Sequence, residues 1–183
     1  GGTTGTISGR VAENAETVNL ALAGTAPLGL ANTFIAPRSL LGTLRYDLRV
    51  DGKPGLQALS GVISTTDARL AAPTLGLALS NIGATINLSG GRAVIDLTAR
   101  SSDGGTVSVA GPVGLSAPNE ADLRIVFNRF VLRDPALYQT SLSGQVDIRG
   151  PLQGGGTIRG TLELGHTEVQ VPSTGLSATG TIP

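Results

Sequence analysis

The chain has 183 residues, and its 13 Lys and Arg are balanced by 13 Asp and Glu. Nucleic-acid binders usually carry a basic stripe that contacts phosphates, and this balance of charge argues against one, so we expect no nucleic-acid partner. Cysteine is absent, which excludes disulfides, thiolate metal sites and Cys nucleophiles. Aromatic residues make up only 3% of the chain, so any buried face must be built mainly from Leu, Val, Ile and Ala.

Apolar and polar residues alternate along most of the chain, a period that is typical of β-strands with one wet face. In chain order, the alternating runs cover residues 18–22, 44–50, 82–88, 95–98, 107–109, 122–128, 146–149, 158–164 and 168–171. Glycine-rich turn sequences separate them, for example at 89–91, 102–105 and 154–156. We predict about 12 strands, with short helical turns only within 28–36 and 134–138.

One sequence unit occurs twice. The spacing from Gly61 to Pro73 returns 99 positions later between Gly160 and Pro172. We predict a strand, a short turn and a second strand between the glycine and the proline of each copy. Repeated meanders bury their apolar faces against neighbouring units and so build elongated objects.

The domain prediction follows from this repeat. We expect residues 1–183 to form a single elongated β segment of a larger protein, with related meander units near 41–77 and 142–176. A flat single layer would leave its apolar face in water. The sheet must therefore fold over on itself, close into a barrel or have that face covered by a ligand.

The alternating apolar residues are the candidate site. They could form an ordinary dry core, or they could line a groove that stays open to flexible acyl chains. The predicted groove-lining residues are Leu20, Leu22, Leu44, Tyr46, Leu48, Ile86, Leu88, Ile95, Leu97, Val107, Val109, Leu123, Ile125, Phe127, Val146, Ile148, Ile158, Leu162, Leu164, Val169 and Val171.

Catalytic chemistry is not expected. His166 is the only histidine, and we predict that it lies in a solvated turn. No G-x-S-x-G motif occurs. The carboxylates Asp122 and Asp147 lie beside arginines in alternating runs, which favours cross-strand charge pairs on an outer face. We therefore predict no catalytic residue, no metal site, no cofactor and no enzymatic activity.

Several segments resemble the TamB family of AsmA-like envelope proteins, and their order and spacing extend the resemblance over nearly the whole chain. These segments are LGLANTFI at 28–35, LGTLRYDLRVDG at 41–52, LSGVI at 59–63, DARLAAP at 67–73, GTVSVAG at 105–111 and LSGQVDIRG at 142–150. The resemblance implies an all-β fold: an elongated, U-shaped and mostly antiparallel sheet, called a β-taco, with an apolar interior groove and little helix.

The resemblance also implies a role. Proteins of this family are anchored in the inner membrane of Gram-negative bacteria, cross the periplasm and take part in phospholipid transport to the outer membrane. The anchor would lie outside this chain. The alternative is a chaperone-like scaffold that works with TamA, an outer-membrane barrel, in autotransporter assembly and secretion. A closed stalk or β-solenoid with a dry core is a third possibility, but uniform rungs of about 20–25 residues would be expected there, and the repeat offset of 99 positions argues against it.

Overall fold

The computed structural model describes residues 2–11, 16–134 and 138–169. In this part of the chain, eleven strands form one sheet. The strands are β1 (Thr4–Val11), β2 (Val18–Pro27), β3 (Ser39–Leu41), β4 (Thr43–Gly52), β5 (Leu59–Ala72), β6 (Leu77–Ser89), β7 (Arg92–Ser101), β8 (Thr106–Gly114), β9 (Glu120–Asp134), β10 (Tyr138–Pro151) and β11 (Thr157–Val169). The helical elements are 3-10 turns at Leu28–Ala31, Leu56–Ala58 and Pro73–Leu75, and one α-helical turn, α1, at Asn32–Ile35.

The sheet is a succession of antiparallel hairpins, in the order β1-β2-β4-β5-β6-β7-β8-β9-β10-β11. The exception is β3, which pairs with the second half of β5 while β4 pairs with the first half. The segment between β2 and β4 leaves the sheet after β2 and returns to it before β4. Its two ends are joined by a hydrogen bond of 3.0 Å, in which Leu28 N donates to Gly42 O. The helical turns predicted within 28–36 are found, whereas 135–137 lie outside the described residues.

Burial alternates along the strands although the sheet has a single layer. In β4, Tyr46 and Leu48 are half-buried, whereas Arg45 and Asp47 are exposed. The contacts of the described strands are almost all with their neighbours in the sheet, so no second layer covers either face. The apolar face must therefore be shielded by its own side chains, which curvature of the sheet brings together. The predicted open, curved all-β sheet is confirmed.

The long strands bend at one level. Register shifts interrupt the pairing of β5, β6, β9, β10 and β11 at positions that lie side by side across the sheet. Two shifts contain a non-glycine residue in the left-handed region, Asn81 at φ 48° and Arg129 at φ 46°. Arg129 N donates to Ser143 Oγ at 3.1 Å, which holds the second bulge. Since bulges bend and twist strands, they fold the sheet along this line.

The most buried side chains lie along the line of bulges, and one end of the sheet closes above them. This buried cluster consists of Ala68, Ile82, Ala99, Val107, Phe130 and Leu142. Beyond it, the turn at Gly76 approaches β9 so closely that a Cβ there would overlap the carbonyl oxygen of Arg133. Val131 N also donates to Gly104 O at 3.0 Å. The β5–β6 hairpin and β9 thus meet beyond the β7–β8 turn.

The turn predicted between the repeated glycine and proline is not found in the described residues, which end at Val169 in the second copy. β5 runs as one strand through the whole segment from Gly61 to Ala72, and β11 is likewise continuous, so His166 lies in a strand. The registers also differ. Gly61 pairs with Leu48, whereas Gly160 pairs with Val146, so the repeated glycine has a different place in each hairpin.

Candidate functional site: the apolar face

The register places the predicted groove-lining residues on one face of the sheet. Leu22 pairs with Leu48, and Val109 pairs with Ile125. Directly paired residues project to the same side of a sheet, and the same holds for each predicted lining residue from Leu20 to Val169. Val171 lies outside the described residues. We call this surface the apolar face.

A central row crosses the apolar face without interruption. Its members are neighbours on consecutive strands from β4 to β11, and none carries a polar side chain apart from the tyrosine hydroxyl. The row consists of Tyr46, Ile63, Ile86, Ile95, Gly111, Leu123, Ile148 and Ile158. With strands about 4.8 Å apart, the row is roughly 34 Å long.

The apolar face is half-open. Most of its side chains are half-buried, and those of the edge strand β11 are exposed, Ile158 at 70% and Leu162 at 45%. Two predicted lining residues, Leu88 and Val107, are buried and therefore unavailable to a ligand. The chain exposes 12191 Å² in total, against roughly 8,200 Å² for a compact monomer of this length. The surface is therefore not that of a sealed globule.

Tyr46 shapes the part of the face near β1 and β2. It pairs with Gly24, which in turn pairs with Gly5. A Cβ on either glycine would meet the Tyr46 hydroxyl group, so the phenol lies across both neighbouring strands. Glycine has no side chain to cover its own backbone. The Tyr46 ring covers the backbone of both glycines and so keeps this part of the face apolar.

The list of predicted groove-lining residues omits several residues of this face, and the bulges explain some of the omissions. Phe130 is three residues after Phe127, so strict alternation would put them on opposite faces. The bulge at Arg129 returns Phe130 to the apolar face, where the two rings meet edge to face with centroids 5.6 Å apart. Ile63 was missed for another reason, since the adjacent apolar Val62 hides which of the two points inward.

The opposite face carries charge. Arg124 pairs with Asp147 at 2.9 Å, and Arg149 pairs with Asp122 at 3.1 Å. The hydrogen bond from Arg124 lowers the pKa of the Asp147 carboxyl group, and the same bond raises the pKa of Arg124. The predicted cross-strand charge pairs are therefore confirmed. No group of three potential metal-ligating side chains occurs within residues 2–11, 16–134 and 138–169.

Both edges of the sheet are exposed. Within the described residues, β1 pairs only with β2, and β11 pairs only with β10. Every residue of these two strands is exposed. Each edge therefore presents a row of backbone N–H and C=O groups, to which another strand could pair.

Together these features define an open, curved, single-layer β-sheet with one apolar and one charged face. Residues 95–181 match the family model of the TamB C-terminal domain. The match covers 87 of the 183 residues, so this part of the chain is similar to the TamB C-terminal domain, which is consistent with a fragment of a TamB-family protein. No curated protein and no solved structure gave a significant match. None of the described helices is long and apolar enough to cross a bilayer.

Proposed function

We propose that the apolar face shields phospholipid acyl chains in transit between the inner and outer membranes, and that it does so without catalysis. The observation that carries the proposal is the central row, which runs from β4 to β11 with no charged residue and with an apolar side chain on every strand except β8, where Gly111 has none. Its half-open state leaves room for hydrocarbon beside the side chains, whereas a sealed core would not.

The energetics favour sliding over trapping. A lipid that leaves a bilayer exposes its tails at a cost of about 0.8 kcal/mol per CH₂. Contact with the apolar side chains of the central row removes part of that cost at most positions along the row. Because the row contains no charge and no deep polar pocket, no single position should hold the lipid much more tightly than the next.

The similarity of residues 95–181 to the TamB C-terminal domain supports the wider setting of the proposal. We infer that the parent protein lies in the periplasm of a Gram-negative bacterium, with its anchor in the inner membrane outside this chain. Its expected outer-membrane partner is a TamA-like barrel. The apolar face would then be one stretch of a longer path between the two membranes.

The exposed edges favour a second candidate, a scaffold that receives client β-strands during outer-membrane protein assembly. An incoming strand could extend the sheet at β1 or β11 by main-chain hydrogen bonding. In that case the client would contact the edge, and the apolar face would serve only to hold the sheet together.

Binding of a fluorescent phospholipid to paired variants of β11 tests the proposal. Leu162 lies on the apolar face and is already 45% exposed, so the fold should tolerate Leu162→Asp. Thr161 precedes it and projects from the opposite face. We expect Leu162→Asp to weaken lipid binding and Thr161→Asp to leave it unchanged.

The same comparison can be made in β9, with Ile125→Asp and Val126→Asp, once circular dichroism has shown that both variants are folded. If the variants on the two faces bind phospholipid as well as the wild type does, the apolar face is not the lipid path. If peptides of client β-strands bind instead, and bind at the edge strands β1 or β11, the scaffold function replaces the lipid-shielding function.

A further inference from the structure

The segment between β2 and β4, residues 28–42, forms a compact loop held by its own hydrogen bonds. We call it the β2–β4 loop. In addition to the Leu28–Gly42 bond at its neck, Leu40 N donates to Asn32 Oδ1 at 2.7 Å, and Arg38 N donates to Ile35 O at 2.9 Å. These bonds fix the conformation of the loop, and therefore the direction in which its side chains project.

The β2–β4 loop has an inner and an outer side. Leu28 packs against the buried cluster of the sheet. Phe34, in contrast, is 89% exposed, and Leu30 is 62% exposed. Leu41, which lies in β3 at the end of the loop, is also exposed. We call Leu30, Phe34 and Leu41 the apolar tip. One of only three phenylalanines in the chain thus stands in solvent on a fixed loop.

Two arginines lie near residues of the apolar tip in the chain or in the sheet register. Arg38 lies in the loop itself, and Arg69 is the partner of Leu41 in the β3–β5 register. Both arginines are exposed, and residues 28–42 contain no Asp or Glu. Phe and Leu beside exposed arginines are the composition of segments that lie in the interface of anionic bilayers.

The size of the apolar tip favours a bilayer over a folded protein partner. Three exposed side chains present at most a few hundred Å², well below the roughly 800 Å² that each partner buries in a stable protein complex. A bilayer requires no complementary surface. It accepts individual apolar side chains among its headgroups, and its anionic lipids attract the two arginines.

We propose that the apolar tip inserts into the headgroup region of an anionic phospholipid bilayer, with Arg38 and Arg69 held close to the lipid phosphates. This is a membrane contact made by the surface of the sheet, and it does not depend on lipid transit along the apolar face. It would hold the sheet beside a bilayer from which a lipid could enter or leave.

Flotation of the 183-residue chain with vesicles tests this proposal. We expect the chain to bind vesicles of phosphatidylethanolamine and phosphatidylglycerol more tightly than vesicles of phosphatidylcholine. Phe34→Glu should lower the partition coefficient about tenfold or more. Arg38→Gln should lower it about fivefold on anionic vesicles and have little effect on neutral ones.

Leu152→Glu is the matched control, because Leu152 is an exposed leucine in the β10–β11 turn, at the opposite ends of the strands. It should bind vesicles as the wild type does. The proposal is overturned if the wild type does not bind vesicles, if Phe34→Glu binds as well as the wild type, or if Leu152→Glu loses as much binding as Phe34→Glu.

Discussion

Replacement of Gly111 by Ala tests whether the curvature of the sheet depends on backbone that only glycine tolerates. Gly111 lies in β8 at φ 136°, where other residues incur a strain of about 1–3 kcal/mol. Its new Cβ would also overlap the carbonyl oxygen of Asp122 in β9. Displacement of β9 would weaken at least one ladder hydrogen bond, worth about 1 kcal/mol. We therefore expect the free energy of unfolding to fall by about 2–4 kcal/mol.

Urea denaturation measures this loss of unfolding free energy. Because the chain has no tryptophan to report unfolding by fluorescence, the transition is followed by far-ultraviolet circular dichroism. Gly83→Ala in β6 is the control, because a Cβ there meets nothing closer than Thr98 Oγ1 at 3.6 Å. It should change stability little, or raise it by up to about 1 kcal/mol through the unfolded state. Equal effects of the two substitutions would refute the argument that close backbone approach at Gly111 shapes the sheet.

Three further predictions concern the core, the bulges and the charged face. Phe130→Ala should lower the free energy of unfolding by about 3–5 kcal/mol, because Phe130 is 3% exposed, whereas Phe34→Ala should have almost no effect on the urea midpoint. Asn81→Val should cost about 1–3 kcal/mol because of its positive φ, and Asn81→Gly should not; equal melting temperatures would contradict this. Because Arg124 lowers the pKa of Asp147, this carboxylate stabilises the fold above its ordinary pKa of 3.8, and the contribution is lost as pH falls through the lowered pKa. Arg124→Gln should therefore be less stable than the wild type at neutral pH and equally stable in strong acid; a constant difference would contradict the pairing.

The alternation of residue types was enough to predict which residues share a face, because each strand projects its side chains to two sides in turn. Leu44, Tyr46 and Leu48 illustrate this in β4, where each is half-buried between exposed neighbours. Hairpin succession was assumed and not predicted, because the glycine-rich turns favour hairpins but do not fix the order in which strands pair.

The bulges could not be predicted, because a bulge and a turn contain similar residues. The polar stretch from Thr65 to Asp67 has the composition of a turn, yet it lies in the register shift of β5. Gly165 and His166 have the same place in β11. In both positions the chain continues in the same direction, because residues on either side of the shift pair with the neighbouring strand. The local sequence does not show these partners, so it does not distinguish a bulge from a turn.

The pairing of β3 with β5 was hidden for a related reason. Residues 39–41 form a strand only because β4 is too short to pair with the second half of β5. The exposure of Phe34 was equally hidden, since an aromatic residue in an apolar stretch is usually buried. Its position depends on the hydrogen bonds that close the β2–β4 loop.

Photocrosslinking at neighbouring positions of β7 tests the central claim most directly. Ile95 belongs to the central row, and Val94 is exposed on the opposite face. With a benzophenone amino acid at either position and phospholipid vesicles present, mass spectrometry would identify the adducts formed on illumination. Our account predicts phospholipid adducts at position 95 and few at position 94. Equal lipid labelling at both positions, or polypeptide adducts alone at position 95, would contradict it.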